Sequence, residues 1–187
     1  MSKSELKKIL DGKKSAKEAL YKICWPSENT KKPLVILMEP DSGEEPLFRL
    51  LEGCLVLNAN FIVVSKKEPA DFIRHPAGKI TWVNTEDGRN KPKIAEYLEA
   101  ADMAVVFEDH LDDLTQIMEK GTVVIGHGKS PLLQNYHPND ETGNAFTYAT
   151  LNPWDVFTAL VRAMETFRFP YDWQNIIRGI IKTNRGQ

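Results

Sequence analysis

The sequence has no apolar run approaching the roughly 20 residues needed to cross a bilayer. Its first ten residues, MSKSELKKIL, lack the apolar core of a secretory leader. Both absences point to a cytoplasmic protein with no membrane role. Cysteine is scarce: Cys24 and Cys54 stand far apart, which excludes a cysteine-only metal site and fits a reducing compartment. No strong charge of one sign is present either. The formal net charge of −2 supplies no bulk attraction to nucleic acid or membrane. HExxH and other tight metal-ligand spacings are missing, as is any Ser-His-Asp or Cys-His arrangement that spacing would support. No repeat or low-complexity tract interrupts the chain. No cofactor is expected.

What is there reads as one globular domain. The 187 residues, 42% hydrophobic and 27% charged, suit a single packed unit and are tight for two. Residues 1–32 form a helical lead-in, with helices expected over 2–10 and 13–24. Ser2 and Glu5 have the spacing of a capping box. Ala16, Ala19, Leu20 and Ile23 fall on one helical face. This lead-in holds nine lysines against four acids, the pattern of a solvated helix face. Trp25-Pro26 and the polar stretch to Lys32 break it.

From residue 33 to 150 the rhythm changes. Short apolar runs at 34–38, 61–64, 80–83, 103–107, 123–125 and 145–148 alternate with helical patterns at 44–57, 70–74, 92–101 and 111–120. Continuous apolar strands separated by helices predict a parallel sheet covered on both faces. The fold class is therefore α/β: a doubly wound, mainly parallel, six-stranded Rossmann-like sheet, with ligands at the carboxyl ends of its strands. Two helices over 151–187 close the chain. Asn152-Pro153-Trp154-Asp155 opens the first with a cap residue, a proline and an acid. Its expected buried stripe is Phe157, Leu160, Val161 and Met164. Pro170 ends that helix, and Trp173, Ile176, Ile177 and Ile180 form the next stripe.

The strand-end loops hold the candidate site residues. After the first strand, where a G-x-G-x-x-G or G-x-x-x-x-G-K-[ST] phosphate loop would sit, the chain reads Glu39-Pro40-Asp41-Ser42-Gly43-Glu44-Glu45. Four acids there repel a pyrophosphate and suit the capped start of a helix. A second acidic cluster, Glu108, Asp109, Asp112 and Asp113, follows the fourth strand. It admits divalent-cation binding or helix capping, but has no EF-hand spacing. His110, His127 and His137 lie in the same set of loops, as general acid–base candidates or as plain surface histidines. Gly126-His127-Gly128-Lys129-Ser130 is the best remaining anion site. The ligand-binding candidates are thus Glu39, Ser42, Glu108, His110, His127, Lys129 and Ser130, with no metal site.

Several motifs, in order over about 170 residues, carry a family resemblance. Gly12-Lys13, Lys17 and Leu20, followed by Pro33-Leu34, resemble the G-K-x-x-x-K-x-x-L…P-L entry into the C-terminal domain of bacterial glycogen and plant starch synthases, two-domain GT-B glycosyltransferases. Met118 and Gly121-Thr122-Val123-Val124-Ile125 are similar to the Y-G-T-x-P-I strand and the methionine before it. Gly143-Asn144-Ala145-Phe146 resembles G-T-G-F, Leu160-Val161-Arg162-Ala163 resembles A-L-x-R-A, and Trp173 matches the tryptophan of the last helix. The resemblance implies the nucleotide-sugar-binding, Rossmann-like half of such an enzyme. The acceptor-binding half would lie outside this chain.

The same resemblance implies a changed donor site. Where the family has S-R-L-x-x-Q-K-G, whose Arg and Lys hold the donor phosphates, Pro40 and Glu45 stand here. Where it has F-E-P-x-G-L, Phe107-Glu108 is kept but Asp109-His110-Leu111-Asp112 follows. Where it has G-G-L, Ser130-Pro131-Leu132 stands, and the proline has no N–H to donate. Losing two cations and gaining acids would remove roughly 4–8 kcal/mol of donor affinity. The expected function is a non-catalytic, synthase-like domain that pairs with a glycosyltransferase chain, binds a glucan or holds a small ligand in its strand-end cleft, Glu108 being a vestigial catalytic residue. The alternatives are a glycosyltransferase subunit with an unusual donor, using Glu108 and Lys129, and binding of a protein or nucleic acid by the lysine-rich N-terminus. That last module ranks lowest, because aromatics barely interleave its basic residues.

Overall fold

A computed structural model describes residues 3–39, 45–66, 79–86, 91–107 and 110–186. Its elements run α1 (Lys3–Cys24), β1 (Leu34–Met38), α2 (Glu45–Cys54), β2 (Asn60–Ser65), β3 (Ile80–Asn84), α3 (Lys91–Ala100), β4 (Met103–Val105), α4 (Leu111–Glu119), β5 (Val123–His127), β6 (Ala145–Tyr148), α5 (Pro153–Phe167) and α6 (Pro170–Arg185). The expected Ser2 cap and the helix at 70–74 lie outside the described residues.

The six strands form one sheet in the order β3-β2-β1-β4-β5-β6, and every pairing is parallel. This is the doubly wound order, with its switch point between β1 and β4. From β1 the chain winds outward in both directions, so right-handed crossovers put α2 on one face and α3 and α4 on the other. The packing agrees: α2 lies on α5, α1 on α3, and α4 on α6. Layers on both faces explain why the apolar strands do not alternate. Every residue of β2 and the first four of β1 are buried.

The lead-in departs from expectation. It is one continuous helix, not two. Gly12 in a helix interior costs only about 1 kcal/mol relative to alanine, and tertiary contacts on both sides of it override that cost. Its buried face is also different. Leu6, Lys13, Lys17 and Tyr21 are buried, while Ile23 is 80% exposed. Lys13 Nζ donates to the carbonyls of Glu99 (3.3 Å) and Lys120 (3.2 Å) and to Thr122 Oγ1 (2.8 Å). Thr122 Oγ1 in turn donates to Leu98 O at 2.6 Å. Burial pulls the Lys13 ammonium down to about 8, against the opposing pull of Asp102. Lys17 Nζ reaches Asp102 Oδ2 and Lys32 O, each at 2.6 Å. Two of the nine lysines are therefore rivets of the fold, not part of a solvated basic face.

The C-terminal helices follow local rules more closely. Asn152 caps α5, its side chain accepting from Trp154 N, with proline next in the chain. The buried stripe is Val156, Ala159, Leu160 and Ala163. It is turned from the expected one because α5 lies against β4, β5 and β6, which favours small residues at the contact. Phe157 and Met164 pack on its margin. In α6, Trp173, Ile176, Ile177 and Ile180 are all buried as expected. Trp173 meets Phe167 edge-on with ring centroids 5.0 Å apart. Among the described residues, no helix is long and apolar enough to cross a membrane.

Candidate functional site

The carboxyl edge of the sheet brings three loops into one row. Leu37 is level with Val105, and Val105 with Ile125. Just beyond lie Glu39 after β1 and Phe107 after β4, and His127 at the end of β5 is paired with Tyr148 at the end of β6. The open α/β sheet places its ligands along this edge.

Glu39 is half-buried there and turned to a structural task. Its N–H donates to Val64 O at 2.9 Å, and its carboxylate accepts from Lys66 N, closing the end of β2. His127 ends β5, where its Nε2 lies 3.0 Å from Ala149 O and its ring tilts against Tyr148 at 5.7 Å. His110 is exposed at the N-cap position of α4 and makes no side-chain cap bond. Asp112 and Asp113 are exposed in the first turn of that helix. Lys129 is exposed in the turn after β5. Ser130 beside it is buried: its N–H donates to His127 O at 3.2 Å, and its Oγ has no hydrogen-bond partner among the described residues. Ser42 and Glu108 lie outside the described residues, as does Asp109. His137 does not join the row; it lies in the loop before β6, bridged to Thr142. Among the described residues, no group of three His, Cys, Asp or Glu side chains is placed to hold a metal ion.

One residue of this edge has no motif of its own. Tyr148, 3% exposed, donates its hydroxyl to Val106 O at 2.7 Å and so ties the end of β6 to the end of β4. Its only sequence signal is its place as the polar-tipped last residue of an apolar run. Leu133 packs onto Gly126 from the following loop. Cavities lined by described residues open between α2 and α5 and on either side of α1.

Comparison with known proteins places this architecture. WaaG, a glycosyltransferase involved in lipopolysaccharide biosynthesis, superposes on 88% of the chain with a TM-score of 0.57 at 14% identity, the match covering 46% of WaaG. EarP, which mediates arginine glycosylation of translation elongation factor EF-P, covers the whole chain with a TM-score of 0.52 at 13% identity, over 67% of its own length. The fold is that of a GT-B glycosyltransferase domain. A 41-residue stretch is 46% identical to glycogen synthase 1 of Synechocystis sp. (strain ATCC 27184 / PCC 6803 / Kazusa), which is 22% of this chain and 9% of that enzyme. No family model matches the sequence.

The described residues of the sequence motifs that resemble glycogen synthases hold the scaffold. Lys13, Lys17 and Thr122 join α1 to the sheet. Asn144, buried, accepts from Gln134 N at 2.8 Å and donates to Leu132 O at 2.9 Å and Thr183 Oγ1 at 2.8 Å. Gly143 before it has a φ of 109°, and a Cβ there would come within 2.5 Å of Asn135 O. Arg162 Nη2 donates to Thr147 O at 2.7 Å and the guanidinium lies 5.9 Å from the Phe146 ring centre. None of these contacts involves the strand-end row itself.

Proposed function

We propose that this is a non-catalytic, glycogen synthase-like domain that acts through binding in carbohydrate metabolism, as a subunit for a glycosyltransferase partner chain or a glucan. The observation that carries the reading is the start of α4. The resemblance to glycogen synthases puts the donor diphosphate there, and a helix N-terminus is ready to receive an anion. Here Asp112 and Asp113 occupy that turn and complement the helix dipole themselves. Pro40 and Glu45 stand where the family's phosphate-holding cations would be, and Pro131 withholds an amide.

The test is direct. The purified chain is incubated with ADP-glucose or UDP-glucose and a glucan primer, and thermal unfolding is followed with each nucleotide sugar. No glucosyl incorporation and no upward shift are expected; a ligand present at 100 times its Kd would add about 2.7 kcal/mol. Incorporation of glucose into the primer overturns the proposal. A second reading, a transferase subunit using a donor without a diphosphate, draws on the exposed Lys129 beside His127. A shift with such a donor, lost in Lys129→Ala, would favour it.

A further inference from the structure

Lys13 and Lys17 reach Thr122 and Asp102, the residues just before β5 and β4, so this stretch of α1 lies at the amino edge of the sheet, opposite the strand-end row. Two cavities open there between α1 and α6, of about 720 Å³ and 300 Å³, and Leu10 lines both. Together they make one groove that follows α1 from Leu6 to Glu18, about 18 Å at the helical rise. Its floor is apolar: Leu6, Trp173 and Ile177 are buried along it, and Leu10 and Phe167 half-buried. Seven cations line the groove against three acids, although the chain as a whole has a formal net charge of −2. Lys13, Lys17 and Asp102 are engaged inside the fold, and the Arg178 guanidinium is held by Asn175. Lys7, Lys14, Lys31 and Lys182 are exposed, and their ammonium groups make no hydrogen bond or ion pair among the described residues.

Unpaired ammonium groups around an apolar floor suit a ligand with carboxylates at its rim and apolar side chains at its centre. A peptide helix supplies both, on opposite faces, and one of about 12 residues matches the length of the groove. Nucleic acid fits less well. Its bases need exposed aromatic faces to stack on, and Trp173 is buried against Phe167. Asp11 and Glu18 also interrupt the row of cations. They would repel an unbroken line of phosphates, whereas a peptide can set uncharged residues opposite them. We propose that the groove between α1 and α6 binds an acidic amphipathic helix of a partner protein, its apolar stripe on Leu10 and Phe167 and its carboxylates facing Lys7, Lys14, Lys31 and Lys182. This goes beyond the reading of the strand-end edge, and neither depends on the other.

The experiment is fluorescence anisotropy of the intact chain with three labelled probes: a peptide of three Glu-Glu-Leu-Leu repeats, the same peptide with serine for leucine, and single-stranded oligothymidylate. The leucine peptide should bind, less tightly as salt rises. The serine peptide, equal in charge, should bind roughly tenfold more weakly. Lys14→Glu and Lys182→Glu should each lower affinity for the leucine peptide by roughly tenfold. Lys8→Glu makes the same change in net charge at an exposed residue outside both cavities, and should bind as the wild type does. All three lysines are exposed, so the variants should melt with the wild type. No binding of the leucine peptide, or equal losses in Lys8→Glu and Lys14→Glu, overturns the groove. Serine peptide or oligothymidylate bound as tightly as the leucine peptide also overturns it, since any polyanion would then serve. Concentration-dependent self-association lost in Lys14→Glu overturns it too, because the groove would then hold a second copy.

Discussion

Lys17 Nζ lies 2.6 Å from Asp102 Oδ2, although the two residues are 85 positions apart in sequence. Both side chains are largely out of water, at 8% and 13% exposure. The same carboxylate oxygen accepts from Leu34 N at 2.8 Å, at the start of β1. One carboxylate therefore joins the lead-in helix, the central strand and the turn before β4. Removing one partner of such a pair leaves a buried charge without its counterion. Lys17→Met and Asp102→Asn should each destabilise the fold by about 3 kcal/mol, and the double variant by less than the sum. Urea denaturation of the four proteins measures this coupling.

Lys13 makes stability depend on alkaline pH. Its folded pKa is lowered from 10.5 to about 8. Between those values the unfolded lysine binds a proton that the folded one has released, so its contribution to stability rises with pH through that window, by about 3 kcal/mol. Below pH 8 both states are protonated and the burial penalty stands in full. Cys54, raised to about 12 by burial, works in the opposite direction at the top of the range. The expected signal is therefore a difference: wild type gains stability relative to Lys13→Met from pH 8 to 10.5. Parallel pH profiles for the two proteins would contradict it.

Gly143 should resist substitution. A side chain there meets a backbone carbonyl, and the residue occupies a φ of 109° that side chains rarely adopt. Gly143→Ala is expected to cost about 2–4 kcal/mol through strain and a forced shift of the Asn135–Tyr136 backbone. The loop before β6 should then exchange its amide hydrogens faster, at Asn144 and Ala145 first, because both donate to Gln134 O.

The acids at the start of α4 should show opposed effects on stability and on anion binding. Replacing Asp112 and Asp113 by asparagine removes favourable interactions with the helix dipole, worth roughly 0.3–1 kcal/mol each. Melting temperature should fall slightly, while affinity for inorganic pyrophosphate, measured by calorimetry, should rise. Unchanged pyrophosphate affinity would remove electrostatic exclusion as a support for the non-catalytic proposal.

Much of the fold was legible because it is written in local patterns. The apolar run at 34–38 coincides with β1, and the one at 145–148 with β6. Asn152-Pro153 announces α5, since a cap needs only its own next residues. The local pattern divides the lead-in helix at Gly12, because a glycine weakens a helix locally while the contacts that carry it through are distant. Of the strand-end candidates, Glu39 and Ser130 are half-buried and buried, with backbone partners that spacing does not reveal. Tyr148 carries no local signal, because its partner, Val106 O, is 42 residues away.

By itself, the sequence determined the alternation of strands and helices, their order along the chain, and the acids and proline at the strand-end loops, since each depends on neighbours a few residues apart. Only the tertiary structure decided that Lys13 and Lys17 turn inward. Lysine is normally a solvated residue, and its burial becomes favourable only where acceptors converge to replace water. Those acceptors, Glu99 O, Lys120 O, Thr122 Oγ1 and Asp102 Oδ2, come together from 85 to 109 residues away once the sheet has formed.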